Sequence, residues 1–477
     1  MIGGTWLAVA VLAAIWPFNR GRDDAEPVTI ESLESRVVEV DVDAKIPASE
    51  DKAIESYREF LELASDDPVL RAEAMRRLAD LEIETAEAAS LGDGAGDALA
   101  GSVELYLQLL ETYPDYGKND LVLYQLARAY EARGELERAL ETLERLVTEY
   151  PNTVHYDEAQ FRRGEALFVD GRYDEAEEAY RKLLERGPET AFYEQALYKH
   201  GWSVFKQDRF DEAFASFFAL LDIELGADPE ADSAARYEAM GRAAQELVDD
   251  TLRVVSIGLS YLDGPSSAAD ALARLGPRPY AYIVFLSLGD LYIEQERWHD
   301  AEAAYAAFVD LDPWHEKAPL LAIEALGALE RGGYADLVLD GKRAFVERYG
   351  PASPYWQRFT FGEQPEVVGH LKANLTDLAT HHHAEAQRTQ APEEYAAAAR
   401  WYRTYLASFP DGDDAAATNF LLAEVLFESG AYRDAADEYE RTAYAYPFHD
   451  KSAEAGYAAL LAYARHEETL DGEARAE

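Results

Sequence analysis

The sequence predicts an all-α fold, a solenoid of antiparallel helix hairpins that repeat about every 37 residues. Three small residues set this period: Ala127, Gly164 and Gly201 lie 37 residues apart, from 127 to 164 and from 164 to 201. Apolar residues recur at helical spacing on both sides of each of them. A second set of small residues marks where the second helix of each hairpin approaches the first: Ala139, Ala176, Ala213, Ala301 and Ala435.

Turn and stop signals divide each repeat into two helices. Short polar or glycine-containing triplets separate them, such as Arg133–Glu135 and Asp170–Arg172. Proline cannot continue a helix, and it follows the predicted second helices at Pro151, Pro188, Pro313, Pro410 and Pro447. Because one hairpin alone leaves its apolar face uncovered, the sequence also predicts that the hairpins stack on one another.

This pattern resembles the tetratricopeptide repeat. The match is clearest in one stretch that holds Leu288, Gly289, Tyr292, Ala301, Tyr305 and Pro313. The resemblance covers most of the chain from Asp51 to about His466, with a period longer than the usual length of about 34 residues. It implies a right-handed superhelical solenoid whose first helices form a concave surface for proteins or peptides. The chain is similar to bacterial periplasmic tetratricopeptide proteins that act as envelope scaffolds.

Breaks in the rhythm suggest six segments along the chain. We expect a signal-like or membrane-anchor segment at 1–18, an acidic linker at 19–50, and an N-terminal repeat array at 51–221. An insertion or degenerate repeat follows at 222–280, then a C-terminal array at 281–466 and a tail at 467–477. Within the first array, the glycine-rich stretch Leu91–Gly101 is predicted to form a long flexible turn.

The N-terminus predicts export or anchoring. Ile2–Phe18 contains no charged side chain, and Arg20 and Arg22 follow it. An apolar run of this length fits the core of a secretory signal or a short membrane anchor, although no basic residue precedes it. We therefore expect a periplasmic or other envelope location with a membrane tether through residues 2–18. The alternative is a buried N-terminal helix in a cytoplasmic protein.

Composition argues against several functional classes. The 477-residue chain carries 92 acidic and 44 basic residues, a formal net charge of -48, which repels nucleic acid. The absence of cysteine excludes disulfides, thiolate metal sites and a cysteine nucleophile. The sequence has no phosphate-binding or dinucleotide-binding glycine motif. We expect a non-enzymatic protein with no cofactor, no nucleic-acid partner, and a protein or peptide partner in an envelope complex.

Two stretches contain residue types that can bind metal ions, but their spacing does not suit a metal site. His381, His382 and His383 are adjacent, and neighbouring helical residues point about 100° apart, so they chelate one ion poorly. Asp411–Asp414 lacks the loop length and terminal glutamate of a calcium-binding hand. It is typical of a turn followed by a helix cap. The sequence therefore predicts no metal site.

The candidate binding residues share one face of the first helices. With the small residue counted as position 8, positions 5, 9 and 12 are three or four residues apart and point the same way. Aromatic side chains are frequent there, and we predict that they anchor a protein or an extended peptide. The predicted binding residues are Tyr124, Arg128, Phe161, Phe168, Tyr198, Trp202, Phe205 and Lys206.

Three alternatives stay open for this chain. Longer helices could pack the aromatic face against neighbouring helices as core, or the face could be self-buried in a structural oligomerisation module. A cryptic enzyme site in residues 222–280 is the third. The clamp of lysine and asparagine with which some members of the resembled family hold a carboxylate has no match here, since only Arg128 and Lys206 stand on this face.

Overall fold

The chain is helical throughout the part that its computed structural model describes, residues 50–63, 67–88 and 95–470. These residues form 21 α-helices and one short 3₁₀ helix, and they contain no strand. The all-α prediction is confirmed. The signal-like or anchor segment, the linker up to residue 49 and the tail from residue 471 lie outside the described residues.

The first nine helices reach the end of the predicted N-terminal array. They are α1 (Glu50–Glu62), α2 (Pro68–Ala88), α3 (Ala95–Thr112), α4 (Asn119–Ala132), α5 (Leu136–Glu149), α6 (Tyr156–Val169), α7 (Tyr173–Leu184), α8 (Tyr193–Phe205) and α9 (Phe210–Leu225). The predicted turn at Leu91–Gly101 is wrong over its second half, since α3 begins at Ala95. Alanine and leucine favour helix there over the isolated glycines.

Twelve further α-helices complete the described part of the chain. They are α10 (Ser233–Ala239), α11 (Arg242–Tyr261), α12 (Pro265–Leu275), α13 (Ala281–Glu294), α14 (Trp298–Leu311), α15 (Ala318–Gly332), α16 (Ala335–Tyr349), α17 (Pro365–Thr389), α18 (Pro392–Ser408), α19 (Ala415–Glu428), α20 (Tyr432–Tyr444) and α21 (Ser452–Thr469). The 3₁₀ helix (Pro354–Gln357) lies between α16 and α17.

Helix hairpins stack in chain order, as a solenoid requires. From α4 to α9, and again from α14 to α21, each helix packs mainly against the helix before it and the helix after it. The first helices of the hairpins are α4, α6, α8, α13, α15, α17 and α19, and the second helices are α5, α7, α9, α14, α16, α18 and α20. The predicted solenoid of helix hairpins is confirmed.

In three hairpins position 8 is glycine because the second helix presses a ring against it. A Cβ on Gly164 would lie 2.6 Å from the ring of Tyr180, and one on Gly201 would lie 2.6 Å from the ring of Phe217. Gly289 lies under Tyr305 in the same way. These distances are shorter than any carbon–carbon contact allows, so glycine is required for the close approach of the two helices.

In five of the hairpins the turn has a left-handed residue seven positions after the small one. Gly134, Gly171 and Gly430 have φ of 72°, 81° and 84°, while Asp208 and Glu296 have φ of 59° and 58°. The next amide closes the helix end, as when the Arg172 N–H donates to the Leu167 carbonyl at 2.9 Å. This is the bond of a Schellman motif. The five aligned turns explain why the triplets noted in the sequence are polar or contain glycine.

The buried core is thinnest around α6. One cluster of buried apolar residues extends from Met75 to Ala159, and a much larger one extends from Val204 to Ala462. Between them lies a small cluster that includes Leu167 and Tyr180. The buried residues of α6 are Ala159, Gln160, Gly164 and Leu167, of which only one is a large apolar residue. Much of the apolar surface of this helix is therefore only half-buried.

Residues 222–280 interrupt the regular stacking. The 20-residue helix α11 packs against α9 and α13, whereas α12 contacts α13 and α14 more than it contacts α11. Two helices that barely touch do not form a tight hairpin. This arrangement accounts for the long spacing between Gly201 and Gly289, and α11 takes the place that the next first helix would occupy beside α8.

Candidate protein-binding face

The predicted binding residues lie on three consecutive first helices. Tyr124 and Arg128 are on α4, Phe161 and Phe168 on α6, and Tyr198, Trp202 and Phe205 on α8, with Lys206 directly after α8. Tyr124 is buried, Lys206 is exposed, and the other six are half-buried. The contacts of each side chain show how much of this face is occupied within the chain itself.

Rings at position 5 link one hairpin to the next. The Tyr124 ring stacks on His155, with centroids 4.5 Å apart and planes at 12°, and its hydroxyl donates to Glu158 Oε1 at 2.5 Å. Burial and that bond raise the pKa of Tyr124 to about 12. In the next hairpin Phe161 stacks on Phe192 at 5.0 Å. These rings therefore stabilise the junctions between hairpins.

Tyr198 makes the corresponding contact with the interrupting region. Its hydroxyl donates to Asp250 on α11, and its ring lies against Phe217 with centroids 6.4 Å apart. Burial, together with the bond to Asp250, raises the pKa of this phenol. Since Asp250 belongs to α11, the interrupting region covers the end of the aromatic face at α8.

Acidic residues at position 9 serve the hairpin interior. Tyr180 donates its hydroxyl to Glu165 Oε1 at 2.5 Å, and Tyr305 donates to Asp290 Oδ1 at 2.7 Å. Both pairs are separated by 15 residues in the chain. Sequence reasoning placed position 9 on the binding face and missed this pairing. The signal was present in the sequence as an acid 15 residues before each of these two tyrosines.

Rings at position 12 pack at the turn of their own hairpin. Phe168 contacts Tyr173 edge-to-face at 5.3 Å, and Phe205 contacts Phe210 in the same manner at 5.0 Å. Phe205 also lies near Gly258 on α11, where an added Cβ would be 3.1 Å from its ring. Phe168 and Phe205 therefore hold the first residue of the following second helix in place, Tyr173 of α7 and Phe210 of α9.

Cations and rings alternate across the three helices. The guanidinium of Arg162 lies 6.0 Å from the Tyr124 ring, Lys199 Nζ lies 5.6 Å from the Phe168 ring, and Lys206 Nζ lies 5.4 Å from the Trp202 ring. We call these six residues the ring–cation row. Contacts of this kind are worth about 0.5–1 kcal/mol each when partly exposed.

Two of the three cations of the ring–cation row are held in place by neighbouring acids. Arg162 pairs with Glu131 at 2.9 Å, and Lys199 pairs with Glu165 at 2.9 Å. Arg128 Nη1 donates to the Gln125 side chain at 3.2 Å. Sequence reasoning missed Arg162 and Lys199, although they stand 37 residues apart, from 162 to 199, and so share one position of the repeat.

The face is thus neither closed core nor bare surface. Tyr198, Trp202 and Phe205 are half-buried and pack against the edge of the larger apolar cluster. Trp202 contacts Tyr198 and Phe205 edge-to-face and carries Lys206 on its other side. The assignment of the eight residues to a binding surface stays a prediction.

The three adjacent histidines have separate surroundings. His382 Nδ1 lies 2.6 Å from Glu394 Oε2, and His383 Nε2 lies 3.3 Å from Glu428 Oε2. His381 lines an open cleft of about 690 Å³ beside Lys342 and Asp377. The described residues contain no group of three or more His, Asp or Glu side chains that could hold a metal ion.

Comparison with known proteins identifies the repeat. The family model of the tetratricopeptide repeat matches residues 94–152 and 124–191. No curated protein matches the sequence. Residues 94–191 therefore carry tetratricopeptide repeats, as the sequence pattern predicted.

Solved structures with a similar arrangement include three from different organisms. A tetratricopeptide repeat protein from Parabacteroides merdae is 14% identical with a TM-score of 0.27, over 62% of this chain and 98% of the other. Yeast Tom70 is 13% identical with a TM-score of 0.23, over 86% and 99%. PilF of Pseudomonas aeruginosa is 17% identical with a TM-score of 0.23, over 51% and 97%. All three TM-scores are below 0.5, so these likenesses say nothing about the function of this chain.

Proposed function

We propose that this chain of tetratricopeptide repeats is a non-enzymatic scaffold that binds a protein or an extended peptide along the first helices α4, α6 and α8. The fold supports a protein-interaction role in general, since stacked hairpins offer a long continuous surface. The proposal goes further by assigning the binding surface to the ring–cation row and the location to the bacterial envelope.

The ring–cation row is the observation that carries the proposal. Arg162 and Lys199 share one position of the repeat on α6 and α8, each paired with a glutamate, and Lys206 follows directly after α8. Each cation is held against a ring. Rings of restricted mobility with charged neighbours bind peptide side chains at a low entropic cost. Because the cations already lie in place, little ordering is required on binding.

A capture experiment with matched variants tests the binding face. The wild-type chain and the variants Lys206→Glu and Trp202→Ala are each used as bait to capture partners from a bacterial envelope fraction. We expect each variant to retain its helical circular dichroism and to bind the captured partner at least about tenfold more weakly, which corresponds to about 1.4 kcal/mol.

The control reverses a charge elsewhere. Lys182→Glu changes a lysine on the second helix α7. The Lys182 side chain is 34% exposed, and its Nζ lies 3.8 Å from Glu178 Oε1. It should capture the partner as the wild type does. If Lys206→Glu and Trp202→Ala capture the partner undiminished, the binding surface lies elsewhere and the assignment is wrong.

The envelope location rests on a different part of the chain. Ile2–Phe18 is uncharged and precedes Arg20 and Arg22, as in an exported or anchored protein. Among the described helices, none combines the length and apolar character needed to cross a membrane. Fractionation of bacteria that produce the full chain, beside a variant lacking residues 2–18, tests this part. Equal recovery of both chains from the cytoplasm would contradict it.

A further inference from the structure

The helix α21 has one apolar face covered and one uncovered. Its covered face packs against α20 through small residues, Ser452, Ala455, Ala459 and Ala462. On the other face, Tyr457 and Leu460 are 65% and 67% exposed, and Leu461 is 46% exposed. Three large apolar side chains within two helical turns form a contiguous patch of the kind that marks an interaction surface.

The patch extends onto the preceding segment. A Cβ on Gly456 would lie 3.3 Å from the Tyr444 hydroxyl, so Tyr444 borders the uncovered face of α21. The Tyr444 side chain is 78% exposed, and Phe448, in the connection between α20 and α21, is 90% exposed. The apolar surface is therefore wider than α21 alone.

Position 8 of α21 is Leu460, 37 residues after Ala423 of α19. In the complete hairpins the residue at this position lies against the second helix: a glycine or alanine lets that helix approach closely, and Leu326 of α15 packs against Gly341 of α16. Leu460 therefore stands where another helix packs in the complete hairpins, and its exposed side chain is available for such a contact.

The charges at the two ends of α21 are complementary to those of a second, antiparallel copy of the same helix. Lys451 pairs with Glu454 at 2.6 Å near the start of the helix, and Arg465 pairs with Glu468 at 3.1 Å near its end. The midpoint between residues 454 and 465 coincides with the midpoint between 451 and 468, and it falls beside Leu460. Lys451 Nζ also lies 5.0 Å from the Phe420 ring of α19, so it faces back into its own chain. An antiparallel second copy would place Glu454 opposite Arg465. A parallel copy would place like charges together.

We propose that the uncovered face of α21 binds a second copy of this chain in an antiparallel, two-fold arrangement. Leu460 and Leu461 then meet their counterparts at the centre, and Tyr457 and Tyr444 extend the contact. A two-fold interface uses the same patch on both subunits, which is the commonest way in which soluble proteins pair. This dimer is independent of the ring–cation row, which lies on α4, α6 and α8.

Sedimentation velocity of the full chain over a range of concentrations tests the dimer. Wild type should shift from monomer to dimer as concentration rises, and Leu460→Glu should remain monomeric at every concentration. Leu311→Glu, at a leucine on α14 that is 53% exposed, is the matched control and should dimerise like the wild type. A monomeric wild type at all concentrations, or an undiminished dimer of Leu460→Glu, overturns the proposal.

Charge reversal tests the antiparallel orientation. Glu454→Arg and Arg465→Glu should each weaken the dimer at least about tenfold, because each places like charges opposite one another, and the double variant should restore it. If the double variant dimerises no better than the single variants, the charges are not paired across the interface and the proposed orientation is wrong.

The absence of cysteine allows a second test of orientation. Leu460→Cys places one thiol near the two-fold centre and should form a disulfide-linked dimer under mild oxidation. Glu468→Cys places the thiol far from its counterpart in an antiparallel pair and should not. Efficient cross-linking of both variants indicates a parallel pair, and cross-linking of neither indicates that α21 does not meet its copy. Both outcomes overturn the proposal.

Discussion

Hairpins α6–α7 and α8–α9 follow one backbone plan and fill two of its positions differently. In both, a glycine lies under a ring of the second helix, Gly164 under Tyr180 and Gly201 under Phe217. Tyr180 has a buried hydroxyl, and Glu165 at position 9 accepts its hydrogen bond. Phe217 has no hydroxyl, and position 9 of its hairpin is Trp202.

The comparison shows how a buried hydroxyl on the second-helix ring restricts which residue can occupy position 9 of the first helix. Where the second helix carries tyrosine, an acceptor is required within reach, because a buried hydroxyl without a partner costs about 1–3 kcal/mol. Where it carries phenylalanine, that requirement disappears and position 9 is free for a ring. In α8 this position is occupied by Trp202.

Truncation of the ring under the close approach should have the largest effect. Phe217 is fully buried, and Phe217→Ala should lower the free energy of unfolding by about 3–5 kcal/mol because it leaves a cavity beside Gly201. Phe448→Ala, at a ring that is 90% exposed, should change it little. Urea unfolding followed by circular dichroism measures both. Equal stabilities would contradict the packing described.

Conversion of one hairpin into the other should have the next largest effect. Phe217→Tyr introduces a buried hydroxyl without an acceptor and should destabilise the chain by about 1–3 kcal/mol. Adding Trp202→Glu provides the acceptor found in α6–α7 and should recover part of that loss. A double-mutant cycle measures the coupling between the two positions. Additive effects would show that position 9 does not serve the second-helix ring.

The turns of the two hairpins should respond in opposite directions. Gly171 has φ of 81°, and Gly171→Ala should destabilise α6–α7 by about 1 kcal/mol, since a Cβ disfavours the left-handed region. Asp208 occupies the same turn position with φ of 59°, and Asp208→Gly should stabilise α8–α9 by a similar or smaller amount. Thermal unfolding of both variants checks the signs. The same sign in both would contradict the shared turn geometry.

A pH effect confined to α8–α9 should be the smallest. Position 7 is Arg163 in α6, paired with Glu144 at 2.8 Å, but His200 in α8, whose Nδ1 lies 2.9 Å from Ser216 Oγ. Burial lowers the pKa of His200 below its ordinary value of 6.5. The unfolded chain therefore binds the proton more readily than the folded chain, and stability falls as pH drops from 6.5 toward the lowered pKa.

His200→Gln removes this proton linkage. The unfolding midpoint should differ less between pH 7 and pH 5 in the variant than in the wild type. We expect this change to be smaller than the change in midpoint that the turn substitutions cause. An unchanged dependence in His200→Gln would show that this imidazole does not resist protonation.

Much of the fold could be predicted because its signals are local. The spacing of Gly164 and Gly201 indicated where two helices touch, and the triplet around Gly171 indicated the turn. The turn predicted at Leu91–Gly101 was wrong over residues 95–101, where helix propensity over a long run outweighs single glycines. The eight predicted binding residues were grouped as one face because four- and three-residue spacings define a helix face in any fold, and their binding role stays a prediction.

The sequence by itself determined the repeat, the hairpin turns and the residues that face each other within one hairpin, since all of these follow from helical spacing. Only the tertiary structure decided what each face meets beyond its own hairpin. It placed Asp250 of the irregular helix α11 over Tyr198, brought Lys199 onto Phe168, and left Leu460 uncovered. Contacts between hairpins depend on the rotation between stacked units and on the course of irregular segments. A repeat period does not encode either of these.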